Sequence, residues 1–237
     1  MHTLPSGITT LIFDVEGTTT DLSFVHEVLF PDARQHLPGF VREQADQPVV
    51  QAALAQVRAT LIDEGTAPSS DSVDTVIETL LQWIATDRKH PVLKTLQGLI
   101  WEAGYTSGRF QGHVYSDVPQ AFQRWHVQGL KLGIYSSGSV LAQQLLFRHS
   151  TAGDLTSVLS AYFDTAVGAK GEAASYTAIA AQLRTPPEAL AFFSDRPPEL
   201  AAARAAGWHV VHVIRDERNA PDPAYPAIAT FEAIATM

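Results

Sequence analysis

The sequence has no cysteine among its 237 residues. It therefore has no disulfide, no thiol nucleophile and no cysteine-type zinc site, and it is compatible with a reducing cytoplasm. Positive charge is also scarce, because 16 Lys and Arg against 25 Asp and Glu leave a net charge of -9. Nucleic-acid binders need clustered Lys and Arg, so this charge argues against that class. A small anionic substrate would have to meet local positive charge instead.

Long apolar runs are missing as well. No stretch approaches the ~20 residues of a membrane span, and no basic segment leads into an apolar run near the first residues. We therefore expect a cytoplasmic protein with no membrane partner. The chain has neither a Walker loop nor Gly-x-Gly-x-x-Gly, so nucleotide folds of those two types are not supported. Its length allows one large α/β domain or a core with a smaller insert.

The run from Ile8 to Phe13 is short, apolar and rich in β-branched residues, which predicts a buried strand. It ends in Asp14, and Glu16 and Gly17 follow. Open α/β sheets bind ligands at the carboxyl ends of their strands, and two neighbouring carboxylates favour a cation between them. The functional interpretation is a metal site with a carboxylate nucleophile. The alternative is an acid that caps the next helix.

The block after this strand has helical periodicity. A helical segment begins near Asp21 and is expected to end or kink at Pro31. Apolar spacing predicts further helices at 49–62, 73–86 and 91–103, and no clear strand. A crossover between parallel strands needs only one helix, so an inserted all-helical domain is predicted.

Alternating strands and helices return after Gly112. Strands are expected at 130–135, 161–167, 190–193 and 210–214, with helices between them and a final helix at 228–235. This order is typical of a doubly wound parallel sheet. We therefore predict an α/β catalytic core from residues 1–20 and 112–237, with an all-helical cap at 21–111.

Polar residues follow three of the predicted strands. Asp14 follows the first, Ser136 and Ser137 the second, and Asp195 the third. Each of them alone could cap a helix. Because the carboxyl ends of parallel strands meet at one edge, their combination favours a binding site.

These residue types fit phosphoryl transfer. Asp14 can attack phosphorus as a nucleophile, and Asp195 can serve as a second carboxylate ligand for Mg²⁺. Glu16 is placed to protonate the leaving oxygen and then to activate water. The cation would offset the repulsion between the phosphate and the carboxylate nucleophile.

A phosphate also needs donors and a positive charge. Ser136, Ser137 and the N–H groups that open the following helix can form a phosphate cradle. Lys170 is the candidate cation, because a lysine is unfavourable near the positive N-terminus of a helix unless it has another role. The alternative for Lys170 is a solvated side chain.

The stretch from Asp14 to Thr20 resembles the first motif of the haloacid dehalogenase superfamily of phosphotransferases, Asp-x-Asp-x-Thr. The departure is Glu16, where most members have Asp. Ser136, Lys170 and Asp195 follow in the order of that superfamily's other motifs.

A closer resemblance is to the enolase-phosphatase family of methionine salvage. That family's string Asp-x-Glu-Gly-Thr-Thr-Thr stands at 14–20, and its second motif resembles residues 135–140. Inside the insert, 87–89 and 93–94 are also similar. The sequence departs from the family at 169–174, around Lys170, and at 196–199, after Asp195.

The resemblance implies a bifunctional enzyme. It would enolise 2,3-diketo-5-methylthiopentyl-1-phosphate and then hydrolyse the enol phosphate to acireductone. It implies Mg²⁺ held by Asp14, Glu16 (through its backbone carbonyl) and Asp195, with the substrate phosphate at Ser136, Ser137 and Lys170. It also implies a monomer whose cap supplies specificity.

The sequence leaves several points open. The enolisation base has four candidates, Glu16, Arg88, Lys89 and Lys94. Other functions that share the motifs are a generic small-molecule phosphatase, a phosphosugar mutase and a non-catalytic phosphometabolite-binding protein. A dehalogenase is disfavoured because that reaction does not need the Mg²⁺ ligands.

Overall fold

The computed structural model describes residues 2–66, 72–86, 88, 90–216 and 220–235. Within these ranges, no helix combines the length and the apolar character that a bilayer crossing requires. The chain divides into two compact units. One comprises Met1–Phe24 with Gln111–Met237, and the other is Val25–Phe110.

The first unit is built on a six-stranded parallel sheet. Its strands are β2 (Thr10–Phe13), β3 (Lys131–Tyr135), β4 (Ala161–Phe163), β5 (Leu190–Ser194), β6 (His209–Val213) and β7 (Ala227–Ile228). The spatial order is β4-β3-β2-β5-β6-β7, so β2 lies in the interior of the sheet. Two short strands, β1 (His2–Thr3) and β8 (Ile234–Ala235), form a separate parallel pair. The predicted parallel α/β fold is confirmed.

Helices flank this sheet. They are α5 (Val118–Val127), α6 (Val140–Arg148), α7 (Ala173–Leu183) and α8 (Pro197–Ala205). Each connects consecutive parallel strands or leads into one, which is the arrangement that right-handed crossovers produce.

Alternate residues of the central strands pack on opposite faces of the sheet. On one face, Ile12 and Phe192 belong to a core that includes Tyr176. On the other, Phe13 packs against Phe193 with ring centroids 4.8 Å apart. Phe122, Trp125 and Phe231 complete this aromatic cluster. The apolar run of β2 is therefore explained by a strand that is buried on both faces.

The second unit is helical. Its helices are α1 (Phe30–Glu43), α2 (Pro48–Asp63), α3 (Val73–Ala85) and α4 (Pro91–Ser107), and a π-helix (Phe24–Leu29) leads into α1. Fully buried Val41, Val57, Leu80 and Leu96 lie in its core, one from each helix. The unit thus has a hydrophobic core of its own.

Local sequence signals explain several helix ends. Ser72 caps α3 by accepting a hydrogen bond from the N–H of Thr75 at 3.2 Å. Gly108 ends α4 in the left-handed conformation, with φ of 75°. Proline stands in the first turn of α1, α2, α4, α5 and α8, where its missing N–H costs nothing.

Pro31 does not end the helical segment, which changes from π-helix to α-helix and continues as α1 with Pro31 in its first turn. One prediction of secondary structure is wrong. The final helix at 228–235 is absent, because Phe231–Ala233 is a single 3₁₀ turn between β7 and β8. There Arg124 donates to the carbonyl of Phe231 at 3.0 Å and Asp117 accepts from its N–H at 2.6 Å. These side chains replace the hydrogen bonds that a helix would have made.

We predict that Phe122→Ala lowers the free energy of unfolding by about 3–5 kcal/mol, because it leaves a cavity among packed rings. Equilibrium urea unfolding measures this change. Val127→Ala is the control, at a position on the same helix that is 75% exposed. It should change the free energy of unfolding by less than about 0.5 kcal/mol. Equal effects of the two substitutions would contradict the packing described here.

Candidate active site

Asp14 is fixed at the carboxyl end of β2. Its N–H donates to the carbonyl of Phe193 on β5 at 2.9 Å, and its Oδ1 accepts from the N–H of Val15 at 2.7 Å. The residue is only 5% exposed. Because β2 pairs with both β3 and β5, the neighbouring strand ends lie beside it. This is the sheet edge at which α/β proteins bind ligands.

The loop after Asp14 is a tight turn around one carbonyl. The oxygen of Val15 accepts from the N–H groups of Thr18, Thr19 and Thr20 at 3.2, 2.9 and 2.9 Å. The Thr19 hydroxyl donates to the carbonyl of Asp14 at 3.0 Å. The backbone of 18–20 and the Thr19 hydroxyl therefore hold the shape of the loop. Glu16 lies half-buried within it and forms a ladder bridge with Thr20.

Gly17 brings this loop against Asp195. It has φ of +73°, and a Cβ at this position would lie 2.5 Å from Oδ2 of Asp195. The N–H of Asp195 donates to the hydroxyl of Thr18 at 3.1 Å. The loop after Asp14 is thus in direct contact with Asp195, so the structure brings together the acids that follow the first and third of these strands.

Lys170 lies inside the site and not in solvent. Its Nζ is 2.5 Å from Oδ1 of Asp14 and 2.6 Å from Oε2 of Glu199, and its side chain is 6% exposed. Burial lowers the pKa of Lys170, but the adjacent Asp14 and Glu199 carboxylates outweigh it and raise that pKa above its ordinary value. The ammonium therefore stays charged.

The loop around Lys170 is fixed from α7. The Tyr176 hydroxyl donates to the carbonyl of Lys170 at 2.8 Å, and the Ser175 hydroxyl donates to that of Ala169 at 2.7 Å. Tyr135 donates to the carbonyl of Gly168 at 3.0 Å. The lysine is thus presented by a rigid loop, although its local sequence departs from the pattern that it resembles.

Sequence reasoning missed Glu199. It lies in the first turn of α8, where its Oε2 contacts Lys170 and also lies 3.0 Å from the Ser194 hydroxyl. Burial, followed by the charge of Asp14, raises its pKa. The sequence resemblance marks 196–199 only as a departure from the family pattern. The usable signal was an acid one helical turn after Asp195, on a helix that starts at the same sheet edge.

Ser136 and Ser137 follow β3 at this edge. Phe13 pairs with Ile134 and with Phe193, so Ser136 and Asp195 lie at this edge one residue beyond the level of Asp14. Ser136 is buried and its hydroxyl accepts from the N–H of Gly138 at 3.2 Å, whereas Ser137 is exposed.

Part of the expected phosphate cradle is already bonded within the protein. The N–H of Val140 donates to Asp164 at 3.3 Å, and the N–H of Ala142 donates to the Ser139 hydroxyl at 3.2 Å. Gln143 donates to the carbonyls of Gly138 and Phe163, each at 2.8 Å. A phosphate role at this turn therefore depends on Ser136 and Ser137 more than on the start of α6.

The candidates for the enolisation base lie in different places. Arg88 forms a bidentate pair with Glu64 inside the helical unit, at 3.1 and 2.5 Å, and stacks on Trp83. Lys94 lies half-buried on α4. Lys89 falls outside the described residues, as does Asp87 of the motif at 87–89.

A family model of haloacid dehalogenase-like hydrolases matches residues 8–207. The chain belongs to the haloacid dehalogenase-like hydrolases. It is 50% identical over 209 residues to the enolase-phosphatase E1 of Pseudomonas savastanoi pv. phaseolicola, covering 88% of this chain and 90% of that protein. It is 47% identical over 227 residues to the enolase-phosphatase E1 of Yersinia pestis, covering 96% of both.

Solved structures agree with this family assignment. The UTR4 protein of Saccharomyces cerevisiae superposes with a TM-score of 0.78 at 32% identity, over 95% of this chain and 99% of that one. CbbY of Rhodobacter sphaeroides, solved with phosphate, gives 0.58 at 16% identity over 97% of each chain, which shows the shared fold alone.

Membership of this family suggests a divalent metal cofactor, and the residues of the site fit one. Oδ1 of Asp195 is buried and has no hydrogen-bond partner. Burial and the charges of Asp14 and Glu199 raise the pKa of Asp195 to about 7. In the part of the chain that the structure describes, no three His, Asp or Glu side chains form a metal cluster. Two carboxylates suffice for a cation such as Mg²⁺, which keeps several water ligands.

We predict that Gly17→Ala lowers kcat/KM for a phosphate ester by about 100-fold, because its methyl group displaces Asp195. Gly7→Ala is the matched control, since Gly7 also has a positive φ, of +99°, but open space around it. Both should lose about 1–2 kcal/mol of stability through the left-handed backbone. Steady-state kinetics of both variants would decide, and equal activities would refute the close approach to Asp195.

We also predict a pH effect on the metal-free protein. The pKa of Asp195 rises from 3.8 to about 7 on folding, so the native state binds an extra proton between these values. Its contribution to stability is therefore complete below pH ~4 and is lost as the pH rises to ~7. With chelator present, the melting temperature of Asp195→Asn relative to wild type should rise steadily across this range. A constant difference would contradict the shift.

Proposed function

We propose that this chain is an enolase-phosphatase of methionine salvage. It enolises 2,3-diketo-5-methylthiopentyl-1-phosphate and then hydrolyses the enol phosphate to acireductone and phosphate. The identity of 47% or 50% to relatives named enolase-phosphatase E1, across most of both chains, supports this assignment. The observation that carries it is the buried cluster in which Lys170 contacts Asp14 at 2.5 Å beside Asp195.

Asp14 is the nucleophile in this proposal. Its carboxylate attacks phosphorus, the bond to the leaving enol oxygen breaks, and an aspartyl-phosphate forms. Water then attacks phosphorus and releases inorganic phosphate with the Asp14 carboxylate restored. Its N–H is bonded to the carbonyl of Phe193 and its side chain accepts from the N–H of Val15, so little reorganisation is needed before attack.

Lys170 balances charge during this attack. A phosphate dianion and a carboxylate repel each other, and the ammonium 2.5 Å from Asp14 offsets part of that repulsion. Glu199, 2.6 Å from the same ammonium, keeps it in place and ionised. Lys170 therefore acts in catalysis and in phosphate binding, while Glu199 positions it.

We assign the cation as Mg²⁺, held by the carboxylates of Asp14 and Asp195 and by the backbone carbonyl of Glu16. When bound, it neutralises charge on the phosphate and orients it. The buried, unpartnered Oδ1 of Asp195 and a donor set made of oxygens favour a hard, oxygen-binding cation.

Glu16 and two serines complete the assignment. Glu16 protonates the leaving oxygen and then takes a proton from the attacking water, a role that suits a half-buried acid two residues from the nucleophile. Ser136 and Ser137 donate to the substrate phosphate. The helical unit, Val25–Phe110, supplies specificity. A monomeric, cytoplasmic protein that binds no nucleic acid stays a prediction from composition and resemblance.

We predict that Asp14→Asn lowers phosphate release from the diketone phosphate by at least about 10³-fold, because the nucleophile is lost. Enolisation should continue, so the enol phosphate accumulates and can be followed by its absorbance. Asp154→Asn, at an exposed acid of the same unit whose hydrogen bonds are with Thr156, is the control and should retain full activity. Undiminished release by Asp14→Asn would overturn the assignment of the nucleophile.

The same assay separates the competing functions. Wild-type protein is given the diketone phosphate or an aryl phosphate, with Mg²⁺ or with chelator. Metal-dependent release from the diketone alone supports the proposal. Comparable release from the aryl ester would indicate a generic phosphatase, and isomer exchange without phosphate release would indicate a phosphosugar mutase. No turnover of any phosphate ester would favour a binding protein.

A further inference from the structure

Arg215 is a buried arginine that the reaction described above does not use. It follows β6, and its side chain is 7% exposed. Its Nη1 donates to both carboxylate oxygens of Asp117, at 3.0 and 2.9 Å, and to the carbonyl of Ala229 at 3.1 Å. Asp117 is equally buried, 6% exposed, and stands immediately before α5.

This ion pair reaches the loop that follows the nucleophile. Nε of Arg215 donates to the carbonyl of Thr18 at 2.9 Å. The hydroxyl of the same Thr18 accepts from the N–H of Asp195 at 3.1 Å. Thr18 thus connects Arg215 to the loop of Asp14 on one side and to Asp195 on the other.

The guanidinium has little freedom to move. It lies 4.4 Å from the ring centroid of Tyr115 and 4.7 Å from that of Phe231. The N–H of Tyr115 in turn donates to the carbonyl of Thr19 at 3.1 Å. Two separate contacts from this cluster therefore fix consecutive carbonyls of the loop, those of Thr18 and Thr19.

Stability alone does not account for such an arrangement. Removing two charges from water is costly, and an apolar pair of similar volume is often as stable as a buried ion pair. The guanidinium instead fixes the orientation of its partners, because its planar fork binds a carboxylate and a carbonyl at fixed angles. A lysine could keep the charge beside Asp117 but could not also hold the carbonyl of Thr18.

We propose that Arg215 is a positioning residue for the divalent-cation site, acting through Thr18 on the spacing between Asp14 and Asp195. This inference rests on the proposed function, since it takes these two carboxylates as ligands of the cation. Groups that orient metal ligands from outside the coordination sphere typically change metal affinity by 10- to 100-fold when they are replaced.

The test compares Arg215→Lys with Arg124→Lys. Arg124 is the matched control, because it also holds the segment near Phe231, through the carbonyls of Phe231 and Ile234, but does not contact Thr18. Chelator-stripped protein is titrated with Mg²⁺ by calorimetry. Arg215→Lys should bind Mg²⁺ at least about 10-fold more weakly, and Arg124→Lys should match wild type within about twofold.

Kinetics and melting provide a second readout. At saturating Mg²⁺, Arg215→Lys should regain most of its kcat with an unchanged KM for substrate. Added Mg²⁺ should raise its melting temperature less than that of wild type at the same concentration. A general loss of stability would lower the melting temperature of both lysine variants and leave the Mg²⁺ affinity of both unchanged, which would overturn the proposal.

Two further variants cover the case in which Arg215→Lys does not fold. Thr18→Val removes the hydroxyl that accepts from Asp195, while Thr18→Ser keeps it. Weaker Mg²⁺ binding by the valine variant alone supports the connection, and equal affinities overturn it. Wild-type protein that binds no Mg²⁺ would instead overturn the proposed function, so the two failures are distinguishable.

Discussion

The contact of the buried Lys170 ammonium with Asp14 and Glu199 is the interaction on which the rest of the site depends. Parallel strands bring several acids to one sheet edge, and their mutual repulsion would otherwise favour protonation. Burial, followed by the charges of Asp14 and Glu199, raises the pKa of Asp195, so negative charge remains beside the lysine. The remaining negative potential is what makes the same edge suitable for a cation. The parallel sheet therefore gathers negative charge at one edge, and Lys170 together with a bound cation would balance it.

The scaffold places the two aspartates of the site on short side chains. Asp14 and Asp195 follow interior strands directly, and their backbone N–H groups are bonded to a neighbouring carbonyl and hydroxyl. Lys170 reaches the site from a loop that α7 fixes through Tyr176 and Ser175, and Glu199 reaches it from the first turn of α8. Short side chains on a rigid sheet edge lose little conformational entropy when substrate binds, because few rotamers remain to be restricted.

Sequence patterns predicted what depends on local or periodic signals. An apolar run that stops at Asp14 predicts a buried strand and a site, and apolar spacing predicts the helices that begin at Val73 and Pro91. The sequence did not predict the role of Glu199, because that role arises only when α8 brings its first turn to a lysine from another loop. The end of the chain was misassigned because Ile228, Phe231 and Ile234 have helical spacing. Their backbone is bonded instead by Arg124 and Asp117, which are distant in sequence.

The helical unit interrupts the first unit between β2 and β3, and this has a consequence for folding. Phe13 must find its register beside Ile134, a pairing of high sequence separation that is entropically slow. The helices of Val25–Phe110 have a core of their own, and every contact inside this unit spans less sequence than the pairing of Phe13 with Ile134. Their early formation would shorten the effective loop that β2 and β3 must close. We therefore expect the inserted segment to accelerate assembly of the sheet whose strands it separates.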